Sequence, residues 1–337
     1  MSARQIVVVG ASSGGIEALR ALAAELPSDF PAPICIVLHT SPHSPGLLPE
    51  ILNRVSTLGV EMARSGRRLQ RGRVYVAPPD CHLLVEPGRL RVTRGPRENG
   101  FRPAIDPLFR SAARVHGPAT IGVVLTGNMD DGTAGLWAVK QLGGIAIVQD
   151  PEDALFPALP RNAMQHVNVD HVVPLRDIAP LLTRLVATPV EHRGEITVPD
   201  HLDVEVRIAN EQNALDAGLE RIAEPSTYAC PECHGVLFQL SEGGRLRFRC
   251  HTGHAYSVDS LLAAIGEATQ DSLWNCVRAL EEGALLIRQM ADHVKACGKD
   301  DDGVSRRLNE RGEEARRQSD AVRKLIIERT PLTVPSS

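Results

Sequence analysis

Three short polar motifs, each at the end of an apolar run, constrain this chain more than any other feature. The apolar runs are typical of parallel strands that are buried on both faces. Because ligands of an open α/β sheet bind beyond the carboxyl ends of its strands, we expect the three motifs to lie together. The motifs are G-A-S-S-G-G at Gly10–Gly15, V-L-H at Val37–His39 and L-T-G-N-M-D-D-G at Leu125–Gly132, and the runs are Ile6–Val9, Ile34–Leu38 and Ile121–Leu125.

The first 186 residues alternate such apolar runs with segments of helical spacing. This pattern predicts a doubly wound, mostly parallel α/β sheet of the Rossmann-like three-layer kind. Only 3% of the residues are aromatic, so its core must consist of Val, Leu, Ile and Ala. Further strands are expected at Val74–Ala77, Ile145–Gln149 and His171–Val173, a hairpin turning at Pro87-Gly88, and helices at Ser12–Glu25, Gly46–Arg54, Pro107–His116, Gly135–Leu142 and Ile178–Leu185.

The three motifs supply the residue types of a Ser-His-Asp hydrolytic site. Ser12 follows the first strand, His39 ends the second, and Asp130 or Asp131 follows a later one. A serine hydroxyl needs a neighbouring base and a group that orients that base. A glycine-rich first turn can instead bind a dinucleotide, but that fold usually has an acid where this chain has His39, so hydrolysis is favoured. Spacing does not distinguish Asp130 from Asp131.

The turn after the first strand also predicts an oxyanion site. Gly14 permits close approach of the backbone, and a helix is expected to begin beside Ser12. Free N–H groups at a helix N-terminus favour developing negative charge, and the N–H of Ser13 is the obvious donor.

A second site is expected near the C-terminus, where three of the seven cysteines are grouped. The spacing C-x2-C-x16-C-x3-H suits a tetrahedral structural zinc, with reduced, metal-free thiols as the alternative. Between the ligand pairs, two alternating segments flank Gly243-Gly244 and predict the hairpin of a zinc ribbon. The predicted ligands are Cys230, Cys233, Cys250 and His254.

These patterns divide the chain into four predicted parts. Residues 1–186 form the catalytic domain, 187–225 a linker, 226–257 the zinc-ribbon-like module and 258–330 a helical hairpin, with a break at Cys297–Gly303. We see no signal peptide and no apolar run of about 20 residues, so a cytoplasmic protein without membrane insertion is expected. Twelve arginines between Arg64 and Arg114 form either a solvated surface or a field for an acidic partner. They lack the interleaved aromatic residues of nucleic-acid binding.

Several ordered motifs resemble the catalytic domain of CheB-type chemotaxis protein-glutamate methylesterases. They lie between Ile6 and about Leu182 and are Gly10–Gly15, His39, Gly72–Pro79, Ile105–Ser111, Leu125–Leu136, Gln149–Pro151 and Leu159-Pro160. The resemblance implies that Ser12 is the nucleophile, His39 the base and Asp131 the acid, with no cofactor for catalysis. It implies hydrolysis of glutamate γ-methyl esters on chemoreceptor-type proteins, and in some relatives deamidation of glutamine.

The chain departs from that family in two places. Many members have T-G-M-G where this chain has Thr126–Met129, so Asn128 would have to help with oxyanion stabilisation. Typical members also carry an N-terminal receiver domain, for which the position of the first strand leaves no room, so we expect no phosphorylation control in cis. The ribbon and hairpin could instead dock a separate regulatory protein. Alternatives to the esterase are an inactive zinc-containing signalling scaffold and a general small-molecule carboxylesterase.

Overall fold

The computed structural model of the chain describes residues 2–3, 6–190, 197–298 and 303–330. The described residues up to 190 contain eleven strands, six α-helices and a short 3-10 helix at Gly117–Ala119. The strands are β1 Ser2–Ala3, β2 Ile6–Ala11, β3 Ile34–Leu38, β4 Gly59–Met62, β5 Arg73–Val76, β6 His82–Glu86, β7 Arg89–Thr93, β8 Thr120–Val124, β9 Ile145–Gln149, β10 His171–Val173 and β11 Pro189–Val190. The helices are α1 Gly15–Glu25, α2 Leu48–Asn53, α3 Ile105–His116, α4 Thr133–Gln141, α5 Ala158–His166 and α6 Leu175–Ala187.

Seven of these strands form one parallel sheet, as the sequence predicts. Their order is β10-β9-β8-β2-β3-β5-β4, and every pair is parallel. The chain moves outward from β2 through β3 in one direction and later through β8 in the other. The crevice at this reversal is where α/β sheets bind their ligands. The carboxyl ends of β2, β3 and β8 therefore meet at one place.

Each face of the sheet is covered by its own apolar core. Along β2, Val7 and Val9 belong to one core, whereas Ile6 and Val8 belong to the other. Burial on both faces explains why the strands read as continuous apolar runs. The hairpin β6–β7 and helix α3 lie on the side of Ile6 and Val8, and helices α1 and α6 lie on the opposite side.

The predicted elements are present, with shifted boundaries and several additions. Helix α1 begins at Gly15 instead of Ser12, because Gly14 has a φ of 73° and forms a left-handed turn before the helix. Strands β1, β4 and β11 and helix α5 are additional to the prediction.

The range 187–225, predicted as a linker, contains helical structure. Helix α7 spans Asp200–Ala209, and two short helices follow, α8 Ala214–Ala217 and α9 Leu219–Ile222. Val204 and Ile208 of α7 are fully buried in a third apolar core. Glu205, between them in sequence, is also fully buried, and this interrupts the apolar pattern that would have indicated a packed helix.

The cysteine-containing module is a four-stranded antiparallel sheet, which we call the ribbon. Its strands are β12 Glu224–Ala229, β13 Val236–Glu242, β14 Arg245–Cys250 and β15 Ala255–Ser257. The expected hairpin turns at Gly243 and Gly244, which have φ values of 57° and 79°. The ribbon and the parallel sheet belong to one compact unit, Met1–Leu261.

The second compact unit, Leu262–Ser337, contains most of one long helix and all of another. Helix α10 spans Val258–Ala296, and α11 spans Val304–Glu328. Arg323 of α11 lies 2.6 Å from Glu281 of α10 and 5.5 Å above the ring of Trp274, so the two helices pack as the predicted hairpin. Residues 299–302 of the predicted break lie outside the described residues. No helix among the described residues is long and apolar enough to span a membrane.

A buried ion cluster joins the ribbon to the first unit's helices. Arg249 of β14 lies 2.9 Å from Glu98 and 2.6 Å from Glu205 of α7, and each of these side chains is at most 1% exposed. Arg110 of α3 pairs with both glutamates. Arg247 of β14 lies 3.3 Å from Glu205. Burial opposes ionisation of Glu98, but the surrounding guanidinium groups outweigh it and hold the pKa of Glu98 below its usual range.

We predict that Arg249→Leu destabilises the first unit by about 3–5 kcal/mol, because it removes one of the three guanidinium groups that surround two buried carboxylates and leaves their charge incompletely compensated. The matched control is Arg89→Leu, which removes an exposed pair with Glu86 and should leave the unfolding midpoint unchanged. Urea unfolding followed by circular dichroism measures both. If both variants shifted the unfolding midpoint by the same small amount, the buried cluster would contribute little to the stability of the first unit.

Candidate active site

Ser12 lies immediately after β2, at the reversal point of the sheet. Its N–H donates to the carbonyl of Thr126, 3.0 Å away, which ties the serine turn to the loop after β8. A side chain at Gly15 would collide with Leu38 and Ala11, at 2.6 and 2.8 Å. Glycine is therefore required for the close approach of this turn to β2 and β3.

His39 connects the serine to an aspartate. Its Nδ1 is 3.1 Å from Ser12 Oγ, and its Nε2 is 2.7 Å from Asp131 Oδ2. The ring is reversed relative to serine proteases, in which Nε2 faces the serine. Phe101 stacks on the imidazole at a centroid distance of 3.7 Å and an angle of 10°. The structure thus brings the three predicted catalytic residues into one hydrogen-bonded chain.

Asp131 is fully buried and has several hydrogen-bond donors. Besides His39, the N–H of Ile105 donates at 2.6 Å and Asn99 Nδ2 donates at 3.0 Å. Burial opposes ionisation, but these hydrogen bonds and the charge of the imidazole outweigh it, so the pKa of Asp131 is below its usual value. Asp131 is therefore suited to remain a carboxylate beside His39.

Asp130, the competing acid, faces the ribbon instead. Its carboxylate is 2.5 Å from Arg245 Nη2 and accepts a hydrogen bond from Ser257 Oγ at 2.8 Å. Burial raises the pKa of Asp130, although Arg245 opposes that effect. The sequence spacing did not distinguish the two acids, but in the structure Asp131 contacts His39 and Asp130 contacts the ribbon.

The predicted oxyanion residues lie in two adjoining loops. Asn128 Nδ2 is 3.1 Å from Ser13 Oγ, and the carbonyl of Ser13 accepts a hydrogen bond from Thr126 Oγ1 at 3.1 Å. Gly14 lies against Leu155 and Phe156, where an added Cβ would approach both to 3.2 Å. The amide of Asn128 therefore lies next to Ser13, the residue that follows the candidate nucleophile.

A cleft of about 470 Å³ opens over Ser12 and His39. One wall is formed by Thr40, Ser41 and Pro42, and the other by the segment that contains Arg97, Phe101 and Arg102. Arg102 is held by Asp80 at 2.7 Å. Two cationic side chains thus line the entrance to the candidate nucleophile.

Sequence reasoning missed three residues around the acid: Asn99, Phe101 and Asp106. Asp106 accepts hydrogen bonds from the N–H of Gly135 at 2.6 Å and from Asn99 at 3.2 Å. Burial, with the nearby charge of Asp131, raises the pKa of Asp106 to about 7. The Asn99-Gly100 dipeptide signals a turn, and Asn99 does have a φ of 53°, but nothing local points to Asp131.

The ribbon brings together the four predicted metal ligands. The Sγ atoms of Cys233 and Cys250 are 3.6 Å apart, and His254 Nδ1 is 3.7 Å from Cys230 Sγ and 3.6 Å from Cys250 Sγ. All four ligand atoms lie within 4.8 Å of one another. Tetrahedral zinc with Zn–S bonds of about 2.3 Å separates its sulfur ligands by about 3.8 Å, so this donor set fits the ion.

A carboxylate supports this set from outside. His254 Nε2 is 3.4 Å from Glu232. A metal-bound histidine commonly donates its second N–H to a carboxylate, which fixes the ring. Among the cysteines and histidines of the described chain, these four form the group with metal-ligand geometry.

We predict that Gly127→Ala slows labelling of Ser12 by a fluorophosphonate about 10²-fold, because the added methyl group would displace Ser12 and so misalign the reacting groups. An added Cβ would lie 2.8 Å from Ser12 Cβ and 2.8 Å from Leu159. Gly283→Ala is the matched control, since a Cβ there meets nothing within 4 Å. Unchanged labelling of Gly127→Ala would show that the turn adjusts freely.

Comparison with known proteins identifies the family. A family model described as CheB methylesterase matches residues 7–182. A Leptospira interrogans protein with a provisional assignment as protein-glutamate methylesterase/protein-glutamine glutaminase is 40% identical over 190 residues, covering 56% of this chain and 98% of the relative. An Anaeromyxobacter dehalogenans protein-glutamate methylesterase/protein-glutamine glutaminase is 40% identical over 181 residues, covering 54% of this chain and 53% of that protein.

A solved structure agrees with these sequence relatives. The Thermotoga maritima CheB methylesterase catalytic domain is 35% identical and superposes with a TM-score of 0.52, covering 54% of this chain and 98% of that domain. The family match covers more than half of the 337 residues. This chain belongs to the CheB methylesterase family.

Proposed function

We propose that this chain is a serine esterase that hydrolyses glutamate γ-methyl esters on chemoreceptor-type sensory proteins. The observation that carries the proposal is the continuous Ser12–His39–Asp131 hydrogen-bond chain beneath an open cleft. Family membership and the names of the relatives support the substrate class. We expect the enzyme to act in the cytoplasm, where cysteine thiols remain reduced.

The reaction follows from the roles of the three side chains. Ser12 Oγ attacks the ester carbonyl carbon while its proton passes to His39 Nδ1, and the carbonyl oxygen becomes an oxyanion. The C–O bond to the methoxy group then breaks, and His39 returns the proton to release methanol. Water then attacks the acyl-enzyme while His39 takes its proton, the bond between Ser12 Oγ and the acyl carbon breaks, and His39 returns the proton to Oγ, which gives the glutamate carboxyl group and free Ser12. Asp131 orients the imidazole and stabilises its cationic form.

The oxyanion would be stabilised by the N–H of Ser13 and the amide of Asn128. Donors held in place before reaction stabilise developing charge without reorganising. Asn128 Nδ2 already lies beside Ser13, so it is placed to act where other family members have a different residue.

Glutamine deamidation is a second candidate activity, because the relatives carry the name protein-glutamine glutaminase. The same residues would act, with ammonia as the leaving group instead of methanol. Arg97 on the cleft wall would attract a substrate segment with acidic neighbours, whereas the charge of Arg102 is already paired with Asp80. A separate regulatory protein could dock on the C-terminal parts of the chain.

We also propose that the ribbon binds a structural zinc ion through Cys230, Cys233, Cys250 and His254. Four protein ligands leave no open position, so the ion would stabilise the fold and take no part in ester hydrolysis.

The esterase is tested by methanol release from methyl-labelled receptor membranes. The parent chain should release methanol, and Ser12→Ala should lower the rate at least about 10³-fold because it removes the nucleophile. Ser65→Ala, a serine outside the site, should behave as the parent. Release of acetate from a simple acetyl ester without methanol release would indicate a general carboxylesterase, and no hydrolysis of either would indicate a scaffold.

The zinc proposal is tested by elemental analysis of the purified full chain. We expect about one zinc per chain, and loss of the ion in Cys233→Ser, because a structural site needs all four ligands. Cys276→Ser changes an exposed cysteine outside the ribbon and should retain the metal. A metal-free parent purified without chelators from zinc-supplemented cells would contradict the proposal.

A further inference from the structure

We propose that Asn99 is a positioning residue that couples the ribbon to the catalytic triad, so that an intact Cys/His cluster is required for full esterase activity. The inference rests on the proposed function and extends it to the way in which Asp131 is held. Asn99 touches neither the cleft's nucleophile nor its base. It acts through the carboxylate that orients His39.

The Asn99 side chain bridges Asp131 and the segment Ser257–Ser260, donating to one and accepting from the other. Its Nδ2 donates to Asp131 Oδ1 at 3.0 Å, and its Oδ1 accepts from the N–H of Ser257 at 2.9 Å and from Ser260 Oγ at 3.1 Å. A carboxylate only accepts hydrogen bonds, and a backbone N–H only donates them. An amide does both, because its NH2 group donates to the carboxylate and its oxygen accepts from the N–H. If the amide were rotated by 180°, its oxygen would face the carboxylate and its NH2 group would face the N–H.

The backbone of residues 97–99 is held by Ala255, the first residue of β15 in the ribbon. Asn99 N–H donates to the carbonyl of Ala255 at 2.8 Å, and Ala255 N–H donates to the carbonyl of Arg97 at 3.1 Å. Glu98 pairs with Ala255 as a parallel bridge. Residues 97–99 therefore extend the ribbon beyond β15, at its edge.

This segment reaches the triad at a second point. Two residues after Asn99, the ring of Phe101 stacks on His39. The acidic loop is also attached to the ribbon, since Asp130 pairs with Arg245 and accepts from Ser257. Both the base and the acid of the triad thus contact a segment that the ribbon holds in place.

The Cys/His cluster holds β15, the strand that is hydrogen-bonded to residues 97–99. Cys250 ends β14, and His254 directly precedes β15, so two of the four ligands bracket the turn before Ala255. The turn is closed by Cys250 N–H donating to the carbonyl of His254 at 2.9 Å. A bound metal would lock this turn, and loss of a ligand would release β15 and with it the hold on Asn99.

Two side-chain variants test the link in the full-length protein. We expect Asn99→Asp to lower kcat on p-nitrophenyl acetate about 10²-fold, since it removes the donor to Asp131 and misaligns the triad. KM should change little, because Asn99 does not contact the substrate. Ser260→Ala removes one donor to the amide and should lower kcat less. Asn210→Asp changes an asparagine at the end of α7 and should leave kcat as in the parent.

A double-mutant cycle distinguishes coupling from general damage. If the ribbon acts through Asn99, adding Cys233→Ser to Asn99→Ala should reduce kcat little beyond either single change. If the double variant instead lost kcat by the product of the two single losses, while its circular dichroism spectrum stayed native, the proposal would be overturned.

A readout independent of turnover completes the test. The low-field proton resonance of His39 Nε2–H in Ser12→Ala, observed with labelled histidine, should shift or broaden in Asn99→Asp and when a chelator removes zinc. Zinc content is measured in the same samples. An unaltered resonance after complete metal loss would overturn the coupling. A parent chain that hydrolyses no ester but shows the expected resonance changes would refute the proposed function alone.

Discussion

A buried, ionised carboxylate needs hydrogen-bond donors on every side, and Asp131 imposes that requirement on the whole site. Moving such a group out of water costs several kcal/mol unless donors replace the lost solvent. Its donors come from three segments: His39 at the end of β3, Ile105 at the start of α3, and Asn99 beside the ribbon. The positions of these segments therefore depend on one another. A change in any of them is transmitted to the imidazole that Asp131 orients.

The same principle, on a larger scale, places the ribbon. The side chains of Arg247 and Arg249 extend from β14 into the interior, where they meet Glu98, Glu205 and Arg110. Such a cluster stabilises a fold less than well-packed apolar residues would. It nevertheless restricts the fold to few arrangements, because any displaced charge would be left buried and unpaired. The cluster thus defines where the ribbon sits. Asn99, one residue after Glu98, then reaches Asp131.

The parts that the sequence predicted are those governed by local pattern. Apolar runs and their polar ends predicted the strands and placed Ser12 and His39 together, because parallel strands share one carboxyl edge. Close spacing predicted the Cys/His group. The roles of Asn99 and Asp106 depend on partners 25 or more residues away, which no local pattern encodes. Helix α7 was missed for a related reason: Glu205, a charged residue on its buried face, is explained only by arginines from α3 and β14.

The reversed imidazole limits how the proposed reaction can proceed. With Nε2 facing the buried Asp131 and Phe101 covering one face of the ring, Nδ1 is the nitrogen directed at Ser12 and the cleft. The proton taken from Ser12, and later the proton taken from water, must both pass through this atom. The ring therefore has to keep one orientation through two half-reactions, in each of which it becomes cationic and then neutral again. Two features supply that constraint: the carboxylate held by backbone and amide donors, and the stacked ring of Phe101. The segment that carries Asn99 and Phe101 is in turn hydrogen-bonded to Ala255 of the ribbon.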